Sequence, residues 1–232
     1  MYPREYIGIK PVDVQVRILA KIFGLSTEVT NEWIDEILPS LRLPNGAEGW
    51  FAMPSPDAIA KHNFPEVTYD DKKHLFAVEL IMKKISALRP FNSYLDGELT
   101  PNRFNQSKET FNAFDRILRE QHGEIIIIPA QFGMLHRGRS VRYAYECFSE
   151  NEFGLDIFSV LSMILTHPER CIRFEQLHII CPGDEYSANV TDWNLKSPRI
   201  CFDGGRLELF ACYKFELGAN YGLASGFIPN KN

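Results

Sequence analysis

Four consecutive isoleucines, Ile125 to Ile128, stand between Gly123-Glu124 and Pro129. A β-branched run with no polar alternation needs cover on both faces, so it reads as a buried strand closed by its Gly and Pro flanks. A chain holding such a strand has to supply apolar layers on either side of it. Before Gly123 the apolar positions mostly follow helical spacing; after it they fall into short alternating runs. The fold class this implies is α+β, with N-terminal helices packed on a mostly antiparallel C-terminal sheet and a buried central strand near 124–129.

The helical half reads in order. Val14 to Phe23 forms a helix stopped by Gly24, and Thr30 to Leu38 forms a second that ends at Pro39. The second helix and the turn before it carry Glu28, Glu32, Asp35 and Glu36, with no Lys or Arg before Arg42. A recognition helix must approach phosphates, so the pair is a structural αα-hairpin rather than a DNA-binding motif. Gly49 to Pro54 is a short strand, and Ser55 with Pro56 opens a helix to about His62. The clearest helix is Asp71 to Leu88, with Leu75, Val78, Ile81, Met82, Ile85 and Leu88 on one face. Residues 91–106, rich in Asn, Pro and Gly, form the longest loop. Ser107 then caps a helix stopped by Gly123, with Phe111, Phe114, Ile117 and Leu118 inward.

In the second half, helices run from Ser140 to Ser149 and from Asp156 to Thr166, joined by a turn at Asn151-Glu152-Phe153-Gly154. Gln176 to Cys181 is a strand closed by Pro182-Gly183, a hairpin turns at Asp203-Gly204-Gly205, and Leu223 to Ile228 is the last strand. The 232 residues read as a single α+β domain, with a subdivision at the 91–106 loop as the alternative: 1–90 mainly helical, 107–232 α+β.

Charge and cysteine usage exclude several classes. Lys plus Arg is 25 against 30 Asp plus Glu, a net charge of −5, so the overall field repels a phosphate backbone and a nucleic-acid partner is not expected. No stretch approaches a membrane span, and Tyr2 stands where myristoylation needs glycine. The expectation is a soluble, cytoplasmic chain without a membrane partner. The five cysteines include no C-x-x-C pair and four have apolar neighbours, so they read as buried free thiols. A metal site built from His167, Glu169, His178 and Cys181 is not expected. His178 and Cys181, on one strand, would point to opposite faces and cannot join His167 and Glu169.

Two charged segments carry what chemistry the sequence offers. Gln131 to Arg142 places His136, Arg137, Arg139 and Arg142 between the isoleucine strand and a helix start, with Gly138 letting the backbone come close. Guanidinium forks and free N–H groups suit a phosphate or carboxylate, although the segment matches neither Walker A nor G-x-G-x-x-G and names no cofactor. The bland alternative leaves the arginines solvated or paired with Glu146 and Glu150. In the second segment, Pro182-Gly183-Asp184-Glu185-Tyr186, a strand delivers two acids and a tyrosine onto a tight turn, with Asp184 shaping the turn and Glu185 free. Histidine 167, near a helix C-terminus, would complement the dipole.

The segments Arg137-Gly138-Arg139-Ser140-Val141-Arg142, Asn151-Glu152-Phe153-Gly154-Leu155, Thr166-His167-Pro168-Glu169-Arg170 and Gly183-Asp184-Glu185-Tyr186 resemble a group of uncharacterised bacterial proteins. The resemblance implies a bacterial or mobile-element origin and attaches no activity. From the residues, two functions follow. One is a small anionic ligand held by Arg137, Arg139, Arg142 and Tyr186, with Glu185, Asp184 or His136 moving a proton or holding a metal. The other is a non-catalytic protein-interaction or regulatory role. The first requires the strands ending at Ile128 and Cys181 to be parallel neighbours, so that both loops open on one edge. If the loops instead pair with each other in a salt bridge, they are structural.

Overall fold

The computed structural model describes residues 8–66, 70–187 and 196–229. Helix α1 (Val12–Phe23) ends where Gly24 turns left-handed at φ 73° and returns its N–H to Ala20. Helix α2 (Glu28–Glu36) gives way to a single 3-10 turn over Leu38–Ser40, since Pro39 brings no N–H to extend the α-helical ladder. Strand β1 (Gly49–Pro54) leads through Ser55, whose hydroxyl accepts the Ala58 N–H, into α3 (Pro56–Asn63). Helix α4 (Asp70–Leu88) buries Leu75, Val78, Ile81, Met82 and Ile85, as its periodicity requires.

The 91–106 segment is not a plain loop. It contributes β2 (Phe91–Ser93) and β3 (Phe104–Gln106), which pair with strands far along the chain. Runs of three residues are too short to show a period, which is why the sequence hid them. Helix α5 (Lys108–Gln121) is capped by Ser107 and closed by His122 at φ 56°, one residue before the expected Gly123. Next come β4 (Ile125–Gln131), α6 (Val141–Cys147), β5 (Glu152–Gly154) and α7 (Ile157–Thr166). The helix-to-helix turn expected at Asn151 to Gly154 is therefore mostly strand. The chain continues with β6 (His178–Ile180), β7 (Asp184–Tyr186), β8 (Lys196–Asp203), β9 (Arg206–Tyr213), β10 (Tyr221–Leu223) and β11 (Ser225–Phe227).

The strands form two sheets, and the fold is α+β. The smaller runs β1-β4-β11-β5 with every pair antiparallel. The larger runs β10-β6-β8-β7-β3, with β9 beside β8 and β2 beside β9. Its β6–β10 and β2–β9 pairs are parallel and the others antiparallel. All of β4 is buried between β1 and β11, so each isoleucine contributes about 1.5–3 kcal/mol of apolar burial. Helix α7 packs on β1, α1 and α4 and is buried at every position except Leu165, which explains a sequence apolar on all sides. A smaller cluster, Val141, Ala144, Ile180, Cys212 and Leu223, joins α6 to the larger sheet. The stretch expected as one last strand is divided at Ala224: β10 belongs to the larger sheet and β11 to the smaller.

That division decides the arrangement of the charged loops. The strands that precede them, β4 and β6, belong to different sheets and are not parallel neighbours. Among the described residues no helix is long and apolar enough to cross a membrane. The five cysteines are free thiols, all buried except the half-buried Cys147.

Candidate functional site

The acids of the second charged segment lie on strand β7, with the turn confined to Pro182-Gly183. Gly183 lies so close to the chain at 154–156 that a Cβ there would stand 2.6 Å from both the Asp156 N and the Gly154 O. The missing side chain is what lets β7 start against the N-terminus of α7. Asp184 is wholly buried there. Its Oδ2 accepts the Ile157 N–H at 2.6 Å, beside Asp156, whose own Oδ1 caps α7 through the Ser159 N–H at 2.7 Å.

The second oxygen of Asp184 meets His74, from the start of α4, at Nε2 and 2.9 Å. The imidazole is 7% exposed and lies parallel to the Phe104 ring at 5.9 Å. Its other nitrogen, Nδ1, has no hydrogen-bond partner among the described residues and stands 3.9 Å from Asp156 Oδ2. That Asp156 oxygen accepts the Gln106 side-chain amide at 2.5 Å. Burial alone would lower the His74 pKa, but the charge and hydrogen bond of Asp184, with Asp156 adding, leave it raised. Burial pushes the Asp184 carboxyl up to about 6 against the opposing pull of His74. Both members of this buried pair thus hold a proton more tightly than the same groups do in water.

Two adjoining cavities open beside this pair, of about 100 and about 470 Å³. His74, Gln106 and Phe111 line both. The smaller is bounded further by Asp57, Lys73, Phe114 and Asp115, the larger by Phe104, Asn105, Lys108 and Glu185. Phe111, expected inward, is 44% exposed because it faces this cleft rather than the core. At the rim, Lys73 pairs with Asp57 at 2.8 Å.

The sequence candidates divide between this cleft and elsewhere. Asp184 and Glu185 belong to it. Glu185 is not free, since it takes the Lys214 ammonium at 2.9 Å. Tyr186 points its hydroxyl to Glu98 at 3.3 Å. His136, Arg137, Arg139 and Arg142 line neither cavity. Arg137 donates through Nε to the Ala219 carbonyl at 2.8 Å, and Arg142 is exposed. His136 is 1% exposed, with Nδ1 receiving Arg139 Nη1 at 2.9 Å and Nε2 on Glu152 Oε1 at 2.6 Å. A guanidinium only donates, so Nδ1 is the acceptor and Nε2 carries the proton. Glu152 also takes the Ser225 hydroxyl at 2.5 Å and the Ser149 N–H at 3.1 Å. Burial works to raise its pKa, but the bonds from His136, Ser225 and Ser149 outweigh it and hold it below the usual value.

The two charged segments do approach, through Tyr145 of α6 bonding the Pro182 carbonyl at 2.8 Å. Asp184 and Arg139 nevertheless each close on a histidine. His167 does not act as a cation on a helix end either. Burial first, with Lys10 adding, takes it down to about 4, and its Nε2 accepts the Lys10 N–H at 3.0 Å.

No protein-family model, curated protein or solved structure matches this chain. Function has to be argued from the site. The residues that sequence reading missed are His74, Gln106 and Asp156. His74 carried a faint signal: it sits four residues before Val78 on the apolar stripe of α4, where a histidine needs a buried partner.

Proposed function

We propose that this chain binds a small polar ligand in the cleft over His74 and exchanges a proton with it through the His74–Asp184 pair. The observation that carries the reading is a buried imidazole that lines both adjoining cavities and whose Nδ1 has no hydrogen-bond partner among the described residues. Buried polar groups are nearly always satisfied, and exceptions concentrate where a ligand or a reaction completes the bonding. Asp184 fixes the ring by its Nε2, so Nδ1 is the position left to give or take a proton. Lys108 at the wall of the larger cavity suits a ligand with an anionic group, and Gln106 and Asn105 offer amides to orient it. The arginine segment supports this less well, because Arg139 is committed to His136.

The test is a thermal-shift screen of nucleotides, sugar phosphates, amino acids and hydroxy acids against the wild type and His74→Gln. The expected result is a ligand that raises the wild-type melting temperature by about 2 °C or more and loses most of that shift in the variant. Calorimetry in two buffers should then show a proton taken up or released on binding. If every stabilising ligand acts equally on both proteins, or none acts on either, the cleft is not the site.

A second reading, docking of a protein partner, is favoured by a separate observation. Tyr213, the last residue of β9, and Phe215 and Leu217 just after it are all exposed, and the two rings stack at 5.1 Å. A pull-down that depends on Phe215 and Leu217 but not on His74 would favour it.

A further inference from the structure

A second cleft, of about 640 Å³, lies where the C-terminal ends of α4 and α7 meet β8. It is remote in character from the cleft over His74. Its walls are Ile85, Leu88, Ile164, Leu165, Ile172 and Phe202, with the prolines at 90 and 168. Leu88, on the apolar stripe of α4, is not buried with the rest of that stripe but 66% exposed at this cleft. Ligand pockets of small molecules fall in the same range of size and are likewise mostly apolar with a few placed polar groups.

The placed polar group here is Arg89. Its Nη1 donates to the Pro168 carbonyl at 3.0 Å and its Nη2 to the Cys171 carbonyl, while the guanidinium lies 5.8 Å from the centre of the Phe202 ring. These bonds fix the fork in place and leave its remaining N–H groups without a protein acceptor among the described residues. The other ionised wall residue, Glu169, is neutralised by Lys10 at 3.2 Å. Arg89, Lys10 and Glu169 together leave one net positive charge at the mouth of an apolar cavity. The carbonyl ends of α4 and α7 would repel an anion, but Arg89 covers the carbonyls that follow α7.

We propose that this cleft is a second binding site, for a small amphipathic carboxylate whose apolar body lies between α4 and α7 and whose carboxylate rests on Arg89. A planar fork matches a carboxylate, and a single net charge matches a monoanion. A phosphate dianion would bring a second charge close to Glu169 with nothing further to neutralise it. The site is independent of the reading given for His74.

Titration calorimetry of the whole chain with octanoate, 1-octanol and octyl phosphate tests this directly. Octanoate should bind one to one, with octanol and octyl phosphate each weaker by about tenfold or more. Leu165→Trp, which fills the cleft from its partly exposed wall, should weaken octanoate by about tenfold while the fold, followed by circular dichroism, is kept. Octanol binding as well as octanoate would remove the role given to Arg89, and octyl phosphate binding best would replace the carboxylate. No octanoate binding to the wild type, or binding unchanged in a folded Leu165→Trp, would overturn the site. The comparison of ligands on the wild type decides the proposal even if the variant fails to fold.

Discussion

The molecule holds two buried histidine–carboxylate pairs, and they are built to opposite ends. In the His136–Glu152 pair every polar atom is answered: Arg139 fills one ring nitrogen, Glu152 takes the other, and Ser225 and the Ser149 N–H complete the carboxylate. In the His74–Asp184 pair one ring nitrogen is held and the other is buried without a hydrogen-bond partner among the described residues, and cavities lie alongside the ring. A closed network ties together chain segments and has no capacity left for a ligand; an open one has. The arginine-rich segment that stands out in the sequence belongs to the closed pair, through Arg139.

The largest test of the contrast is Glu152→Ala. It strips the closed pair of its hub and leaves the donors of His136, Ser225 and the Ser149 N–H unanswered, so it should cost about 3 kcal/mol or more in denaturant unfolding, at about 1–3 kcal/mol for each buried unsatisfied donor. A loss below about 1 kcal/mol would mean that the network is not structural.

The two pairs should also respond oppositely to pH. His74 and Asp184 both hold their protons more tightly than ordinary histidine and aspartate. The folded state therefore binds more protons than the unfolded one, and stability declines as pH rises from about 4 to beyond 6.5. Glu152 is held below its ordinary value, so its contribution is present above about 4.3 and disappears as pH falls through its folded value. In melting scans from pH 4 to 8, Asp184→Asn should abolish the declining limb. An unchanged limb would place its source elsewhere. His74→Phe keeps a flat ring against Phe104 but leaves Asp184 without its cation, so its cost should grow with pH. A constant cost would show that packing, not charge, is what His74 supplies.

Smaller effects separate the arginines. Arg139→Ala leaves the His136 Nδ1 unanswered and should cost about 1–2 kcal/mol, with no change in ligand binding at the His74 cleft. Lost binding there would join the two regions after all. Arg142→Ala, on an exposed side chain, should stay within about 0.5 kcal/mol.

The parts of this fold governed by local physics could be read from the chain. The isoleucine run is a central strand, Ser55 and Ser107 are caps, helices start at Ser140 and Asp156, and Gly204-Gly205 turns the hairpin. What stayed hidden depends on pairing at a distance. β3 is three residues long and exists because β7 lies beside it. The same pairing sets Gln106 opposite Asp184, and His74 reaches Asp184 across 110 positions. Half of the site, Asp184 and Glu185, was visible as charge next to a turn. The other half was a histidine on a helix stripe, an amide in a loop and an acid at the start of a helix. Arg139 could be read as a donor on a glycine-bearing loop, but its acceptor His136, three residues earlier, could not be picked out from the sequence.

Ala224 has a consequence for how the protein opens. Its N–H bonds Ile180 of the larger sheet, and its carbonyl takes the Leu155 N–H on the side of the smaller one. The strands on either side of it are hydrogen-bonded into different sheets. Fraying either sheet at this seam pulls on the other, so the two should exchange their amide hydrogens as one cooperative foldon rather than as separate units. Amides of β4 and of β6 would then share a single opening free energy, and a ligand seated beside β7 would slow exchange as far away as the isoleucines.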